Sequence, residues 1–224
     1  MSHWEKFVAR GREALLSGRT TYDVPMVEGG HRWGATVILR PTGAVLDRLI
    51  ALARSAGGAA GPGHWVHGGD TLHLTLRSLE NYRQSIPPGD PLRTAYAAAL
   101  GEAAEGLPPA RVLLRGVSPH AGGVLARGHP EDDTLVSLQK RFAHALASRG
   151  LHHFESGMVR DVWYVSLLHF AAPVADPRPL AAWCDEHAGT PVGVAEMPAV
   201  ELAQAVHLGA GVRLDTLERV PLTP

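Results

Sequence analysis

The chain has 224 residues, of which 45% are hydrophobic and 19% charged, a balance typical of a folded globular protein that excludes a disordered or fibrous chain. Its 21 Lys and Arg residues nearly balance its 22 Asp and Glu residues, so the formal net charge is −1 and no overall field favours nucleic acid or a membrane. Any anion that the protein binds must therefore be held by a local site.

Hydrophobic periodicity and turn residues predict that helices and strands alternate along the whole chain. The predicted helices cover residues 4–17, 42–56, 91–107, 133–149 and 177–189. The predicted strands cover residues 32–41, 71–79, 110–119, 122–129 and 162–172, and two more follow within 200–222 around the turn at 209–211. Twice a helix precedes a strand that carries polar residues, which indicates two similar lobes without a long linker between them.

The cysteine, the histidines and the apolar runs of the sequence bear on cellular location, membrane association and metal binding. Cys184 is the only cysteine, and the N-terminal MSHWEKFVARGREALL lacks the uninterrupted apolar core of a signal peptide, so the expected location is the cytoplasm. No apolar run approaches the roughly 18 residues of a membrane-spanning helix, so no membrane partner is expected. The 13 histidines are scattered and the pair His152 and His153 opens no zinc motif, so neither a metal nor another cofactor is expected.

The stretch TLHLTLRSLE, residues 71–80, carries an unusual combination of polar groups. Because alternate side chains of a strand share a face, three leucines would enter the core while His73, Thr75 and Arg77 project together on the other side. An imidazole, a hydroxyl and a guanidinium in a row can move a proton, donate to a phosphoryl oxygen and neutralise its charge. A half-exposed strand with its polar face in water explains the same alternation, and periodicity does not separate the two interpretations.

The motif HLTLR followed by SLE resembles the first signature of the 2H phosphoesterase superfamily, which includes the bacterial RNA 2′,3′-cyclic phosphodiesterases also called 2′-5′ RNA ligases. That family carries a second His-x-Thr/Ser on a later strand. Here the stretch WYVSLLHF keeps a hydroxyl at Ser166 but has Tyr164 where the second histidine is expected. The chain thus resembles a divergent member of the superfamily.

The resemblance implies an α+β fold in one bilobal domain over residues 1–224, with two antiparallel sheets and flanking helices around a central cleft. It also implies a metal-free reaction on a cyclic or nucleotide-like phosphodiester. His73 and Tyr164 would handle protons, while Thr75, Ser166 and Arg77 would bind the phosphate. The implied partner is a small phosphorylated or nucleotide-like substrate, and an RNA end would also fit; the oligomeric state stays open.

Tyr164 leaves other functions open. Phenols titrate near pH 10, so a tyrosine is a poor base at neutral pH, although it can donate a proton or a hydrogen bond. The chain could therefore be a binding protein for a phosphorylated ligand that has lost turnover, or its cleft could serve different biosynthetic chemistry. On a regular strand His169 falls on the face opposite Tyr164 and is predicted to be a packing or surface residue unless a bulge reverses it. His64 and His67 are predicted loop residues close in sequence to the cleft-facing strand, where a ligand could be reached, and nothing in the spacing singles either of them out.

Overall fold

The computed structural model describes residues 3–23, 25–151, 155–209 and 211–224, so His152 and His153 lie outside the described residues. This part of the chain contains five helices and nine strands. The helices are α1 (His3–Leu16), α2 (Gly43–Ala60), α3 (Pro91–Ala104), α4 (Thr134–Ser148) and α5 (Pro177–Glu186). The strands are β1 (Thr36–Leu39), β2 (Trp65–Val66), β3 (Leu74–Ser78), β4 (Ala110–His120), β5 (Gly123–Pro130), β6 (Trp163–His169), β7 (Pro191–Met197), β8 (Ala199–His207) and β9 (Val212–Pro221).

The strands form one antiparallel sheet in the order β7-β4-β5-β6-β3-β1-β8-β9, and β2 pairs with the end of β6. The sheet divides naturally into two halves of four strands, which meet where Leu74 of β3 pairs with Val165 of β6. The predicted α+β architecture, with two antiparallel halves and flanking helices, is confirmed. The two halves are joined edge to edge into one continuous sheet, so the two polar strands β3 and β6 become neighbours at its centre.

The main core lies on the face of the sheet that the leucines of the HLTLR strand occupy. Leu72, Leu74 and Leu76 are almost completely buried there, and Val165 and Leu167 from β6 enter the same cluster as residues of α2, α3, α4 and α5. Burial of each such side chain stabilises the fold by about 1.5–3 kcal/mol relative to leaving it in water. Packing thus fixes which face of β3 and β6 turns inward and leaves the polar face free for a site.

Two of the helices begin where the sequence indicates. The side chain of Asp90 accepts a hydrogen bond from the Arg93 backbone N–H at 2.9 Å at the start of α3, and the side chain of Asp176 accepts one from the Arg178 N–H at 3.1 Å at the start of α5. In both cases a proline opens the helix, where its missing N–H costs nothing. No helix among the described residues is long and apolar enough to cross a membrane.

Candidate active site

The polar faces of the two central strands line one cavity of about 220 Å³. His73 and Thr75 reach it from β3 and the residue before it, and Tyr164 and Ser166 reach it from β6. Extending the pairing of Leu74 with Val165 by one residue in each direction places His73 opposite Ser166 and Thr75 opposite Tyr164. The structure thus brings together four of the five site residues that the sequence singles out.

Arg77, the fifth, does not line this cavity. The pairing of β1 with β3 shifts between Val37, which faces Arg77, and Ile38, which faces Thr75, so β3 contains a bulge that breaks the alternation. The Arg77 side chain is buried, and its Nη1 donates to the backbone oxygens of Glu155 at 2.7 Å and Met158 at 3.2 Å. Arg77 therefore braces the segment before β6, and the expectation that it faces the cleft with Thr75 is corrected by the bulge.

A second bulge, in β6, brings His169 into the cavity. Val124 of β5 faces Leu168, but Leu125 faces Ser166, so Leu167 is the extra residue and the alternation reverses after it. His169 consequently shares the face of Ser166 and lines the cavity, where only 7% of its surface is exposed. The expectation for a regular strand, which placed it on the opposite face, is wrong at this position.

No protein-family model and no curated protein matches this chain. Several solved structures do. E. coli LigT complexed with 3′-AMP is 14% identical, covers 86% of this chain and 99% of its own, and superposes with a TM-score of 0.58. TT0787 of Thermus thermophilus is 16% identical over 84% of this chain and 97% of its own, with a TM-score of 0.59, and a structure described as a phosphoesterase is 15% identical over 86% and 99%, with a TM-score of 0.54.

The chain has a LigT-like fold. The resemblance seen in HLTLR is confirmed at the level of the fold, and the halves of the sheet correspond to the two lobes that it implies. At these identities the likeness is one of fold, and the chemistry must be built from this chain's own side chains.

The imidazole of His73 is held in its neutral form. Its Nδ1 lies 2.7 Å from the carbonyl oxygen of Thr71, which can only accept, so Nδ1 carries the proton and Nε2 keeps its lone pair. Burial lowers the pKa of His73 to about 4, and the charges of Arg40 and Arg160 act in the same direction, against the Thr71 hydrogen bond, which raises it. At neutral pH the imidazole is therefore unprotonated and able to accept a proton through Nε2.

Arg160 supplies the cation that Arg77 does not. It lines the cavity, and its backbone is fixed by Gln139 of α4, whose amide donates to the Arg160 oxygen at 3.2 Å and accepts from the Arg160 N–H at 3.0 Å. Its guanidinium pairs with Glu155, while its Nε is buried without a hydrogen-bond partner. Sequence reasoning missed Arg160 because it lies in a loop without periodicity, where one arginine gives no signal.

The loop before β1 forms another wall of the cleft. Trp33 has a φ of 67°, a left-handed conformation that is costly for a residue with a large side chain and that often marks functional loops. The buried carboxylate of Asp23 holds this loop, because it accepts from the Trp33 indole N–H at 3.2 Å and pairs with Arg32 at 2.8 Å. The Trp33 ring then packs edge-on against His169 with 5.1 Å between ring centroids. Neither Arg32 nor Trp33 was predicted as a site residue.

Buried imidazoles gather around this end of the cleft. Nε2 of His67 lies 2.7 Å from Nδ1 of His169. His120, at the end of β4, has its ring centroid 6.3 Å from that of His169, and its buried Nε2 has no hydrogen-bond partner. Burial lowers the pKa of His120 to about 4, with Arg32 adding to the effect, and burial followed by the charge of His73 lowers the pKa of His67 to about 3. In the described part of the chain no group of three or more His, Cys, Asp or Glu side chains is arranged to hold a metal ion.

These lowered pKa values make the stability of the protein depend on pH. An unperturbed histidine titrates near 6.5, so between about pH 4 and pH 6.5 the unfolded chain binds protons that folded His73 and His120 do not. The stabilisation is present above the unfolded pKa and is lost as the pH falls through this window. We expect the free energy of unfolding, measured by denaturant titration, to fall by up to about 1.4 kcal/mol per pH unit for each such histidine.

A pair of variants tests the origin of this slope. His120→Asn removes a buried imidazole and should flatten the pH dependence, whereas His144→Asn removes an exposed imidazole of α4 and should leave it unchanged. Equal slopes in His120→Asn and the parent protein would assign the acid sensitivity to other groups.

Proposed function

We propose that this chain is a 2H-type phosphoesterase that opens a cyclic or nucleotide-like phosphodiester without a metal ion. The observation that carries the proposal is the convergence of His73, Thr75, Tyr164 and Ser166 on one cavity, between neighbouring strands of a LigT-like fold. A base, three hydroxyl donors and a nearby guanidinium are the groups that such a reaction needs.

The proposed reaction assigns one task to each group. Nε2 of His73 removes a proton from water as the water oxygen attacks phosphorus, and the hydroxyls of Thr75 and Ser166 donate to the non-bridging oxygens. The Arg160 guanidinium offsets the charge that develops on these oxygens. The phosphorus–oxygen bond to the leaving group breaks, and the phenol of Tyr164 gives its proton to the departing alkoxide. The phenol regains a proton from solvent, and His73 releases the one that it took.

The size and polarity of the cavity support a small substrate. A volume of about 220 Å³ accommodates a phosphate with a sugar, and larger parts of a ligand would extend past Arg32 toward solvent. The similar LigT structures contain 3′-AMP in one case and phosphate in another. A single-stranded RNA end presents the same terminal group, so it belongs to the proposed substrate class.

Tyr164 favours a second candidate, a binding protein for a phosphorylated ligand. Replacement of an imidazole by a phenol removes one of the two proton-transfer groups of the family pattern but keeps a hydrogen-bond donor at the same place. Such a protein would retain affinity for phosphate through Thr75, Ser166 and Arg160 and would show no turnover.

The direct experiment is a screen of the purified protein with 2′,3′-cyclic nucleotides and short oligonucleotides that end in a cyclic phosphate, in buffer with EDTA. We expect hydrolysis that EDTA does not reduce and that a double variant, Thr75→Val with Ser166→Ala, lowers by about 10²-fold or more. Absence of hydrolysis for every phosphodiester, together with measurable phosphate binding, would establish the binding protein instead.

A further inference from the structure

His67 and His169 form a buried imidazole pair to which the reaction above assigns no task. His169 lines the same cavity as Ser166, because the bulge in β6 turns it to that face, and His67 lies behind it. A backbone hydrogen bond of 3.0 Å from the His67 N–H to the Leu167 oxygen fixes the second ring behind the first. The bulge at Leu167 thus has two effects: it turns His169 toward the cavity, and its backbone oxygen anchors His67.

The hydrogen bond between the rings leaves one imidazole nitrogen of His169 for a ligand. His67 Nε2 and His169 Nδ1 are 2.7 Å apart, so one ring donates and the other accepts across this contact. The atom of His169 that remains is Nε2, on a ring that lines the cavity. If the pair gains one proton, both nitrogens of His169 can be donors while His67 still accepts, and the charge is shared across the bond.

Without a bound anion this extra proton is unfavourable. Burial lowers the pKa of His169 well below its ordinary value, and neighbouring imidazoles and a guanidinium add to the effect. Among the described residues, the titratable and charged groups that face the pair are His73 before β3, His120 on β4, Tyr164 on β6, Arg32 in the loop before β1, and Asp23 behind Trp33. The wall of the same cavity adds His31, Glu80 and Arg160. The two carboxylates of this set are already paired, Asp23 with Arg32 and Glu80 with Arg83, so the charge that would favour a protonated pair has to come from the ligand.

We propose that the His67–His169 pair takes up a proton when an anionic phosphoester enters the cleft, so that His169 provides the second imidazole that Tyr164 displaces from the family position. The proposal rests on the proposed function for the class of ligand, and the proton comes from solvent. Protonated His169 donates through Nε2 to a phosphoryl oxygen, and His67 acts as a positioning residue that holds the ring and shares its charge. The positive charge of the protonated His67–His169 pair is then present in the cleft only when the negative charge of a bound phosphoester compensates it.

The first experiment measures binding of inorganic sulfate, a phosphate-like dianion whose charge stays constant between about pH 5 and pH 8. Titration calorimetry in two buffers with different ionisation enthalpies gives the number of protons taken up. We expect an uptake of roughly one proton per sulfate at pH values between the free and the bound pKa of the pair, and over the same interval a dissociation constant that rises by up to about tenfold per pH unit.

Single variants identify the group that takes up the proton. His169→Asn should abolish the uptake and flatten the pH dependence, and His67→Asn should weaken both, whereas the exposed His144→Asn should change neither. His73→Asn should retain the uptake, because the proton resides on the pair and His73 stays neutral, with Nδ1 donating to Thr71 and Nε2 unprotonated. Loss of the uptake in His73→Asn together with its retention in His169→Asn would overturn the proposal.

A measurement on the unsubstituted protein guards against variants that fail to fold. The ¹⁵N shifts of the histidine rings report protonation directly, and we expect both ring nitrogens of His169 to move toward imidazolium values when sulfate is added. If those of His169 stay at neutral values, the proposal is wrong. Proton uptake by His169 without turnover of any phosphodiester would support the pair and refute the enzyme, while turnover that depends on His73 without uptake would do the reverse.

Discussion

Replacement of His73 with Gln is expected to lower the turnover of a 2′,3′-cyclic nucleotide by about 10²- to 10⁴-fold, the range typical for loss of a general base. The physical reason is the fixed tautomer: Nδ1 donates to Thr71 and Nε2 is the only atom of this side chain that can accept the proton of water. The amide of glutamine can still hydrogen-bond, so substrate binding should change much less than kcat. Steady-state kinetics on both proteins measure the two effects separately.

The matched control for His73→Gln is His144→Gln, which removes an exposed imidazole from α4 and should leave kcat and KM as they are. The thermal midpoint of His73→Gln should stay near that of the parent protein at neutral pH, because a polar side chain in the cavity contributes little to the core. Equal turnover in His73→Gln and the parent protein would remove His73 from the mechanism.

The central strands show where a period-two pattern predicts correctly which face a side chain occupies and where it fails. In β3 and the two residues before it the pattern is correct from Leu72 to Leu76, because burial of the leucines against the helices fixes the register. It fails at Arg77, since the extra residue of a bulge is set by pairing with β1 and leaves no mark in the composition of the strand. The same limit explains the wrong prediction for His169. Strict alternation places it on the face opposite Ser166, whereas the bulge in β6 places it on the same face.

The remaining site residues, Arg160 and Trp33, lie in irregular segments of the structure, which is why the sequence did not predict them. Arg160 is positioned by Gln139 of α4, a residue 21 positions earlier in the chain, and Trp33 is positioned by Asp23 through a side-chain contact. Contacts of this kind depend on tertiary packing. Arg160 lies in no periodic element, and Trp33 falls in the part of the predicted strand 32–41 that is a loop with a left-handed residue in the structure, since β1 begins at Thr36. The edge strand β7 was likewise not predicted, because Pro191 and Gly193 interrupt its β-branched residues.

Replacement of Tyr164 with Phe is expected to cut turnover by about 10²-fold or more while ligand affinity changes little, if the phenol is the proton donor to the leaving oxygen. The substitution removes one oxygen and keeps the ring that stacks against Phe7 with 6.5 Å between centroids, so the fold should be unaffected. The measurement is a comparison of kcat with phosphate affinity for the same pair of proteins. A variant that loses affinity and turnover in equal proportion would show that the phenol binds the phosphate and does not donate the proton.

The converse substitution, Tyr164→His, decides between the enzyme and the binding protein. It rebuilds the two-histidine pattern on β3 and β6, opposite Thr75 and beside Ser166, without altering the strands that position it. If the parent protein hydrolyses no phosphodiester, binds phosphate, and gains turnover in Tyr164→His, the natural role is binding, because only the proton-transfer group was missing. If the parent hydrolyses a cyclic phosphodiester and Tyr164→Phe abolishes this activity, the phenol is a working acid. If neither the parent nor Tyr164→His acts on a phosphodiester, the cleft serves other chemistry and the phosphoesterase proposal is refuted.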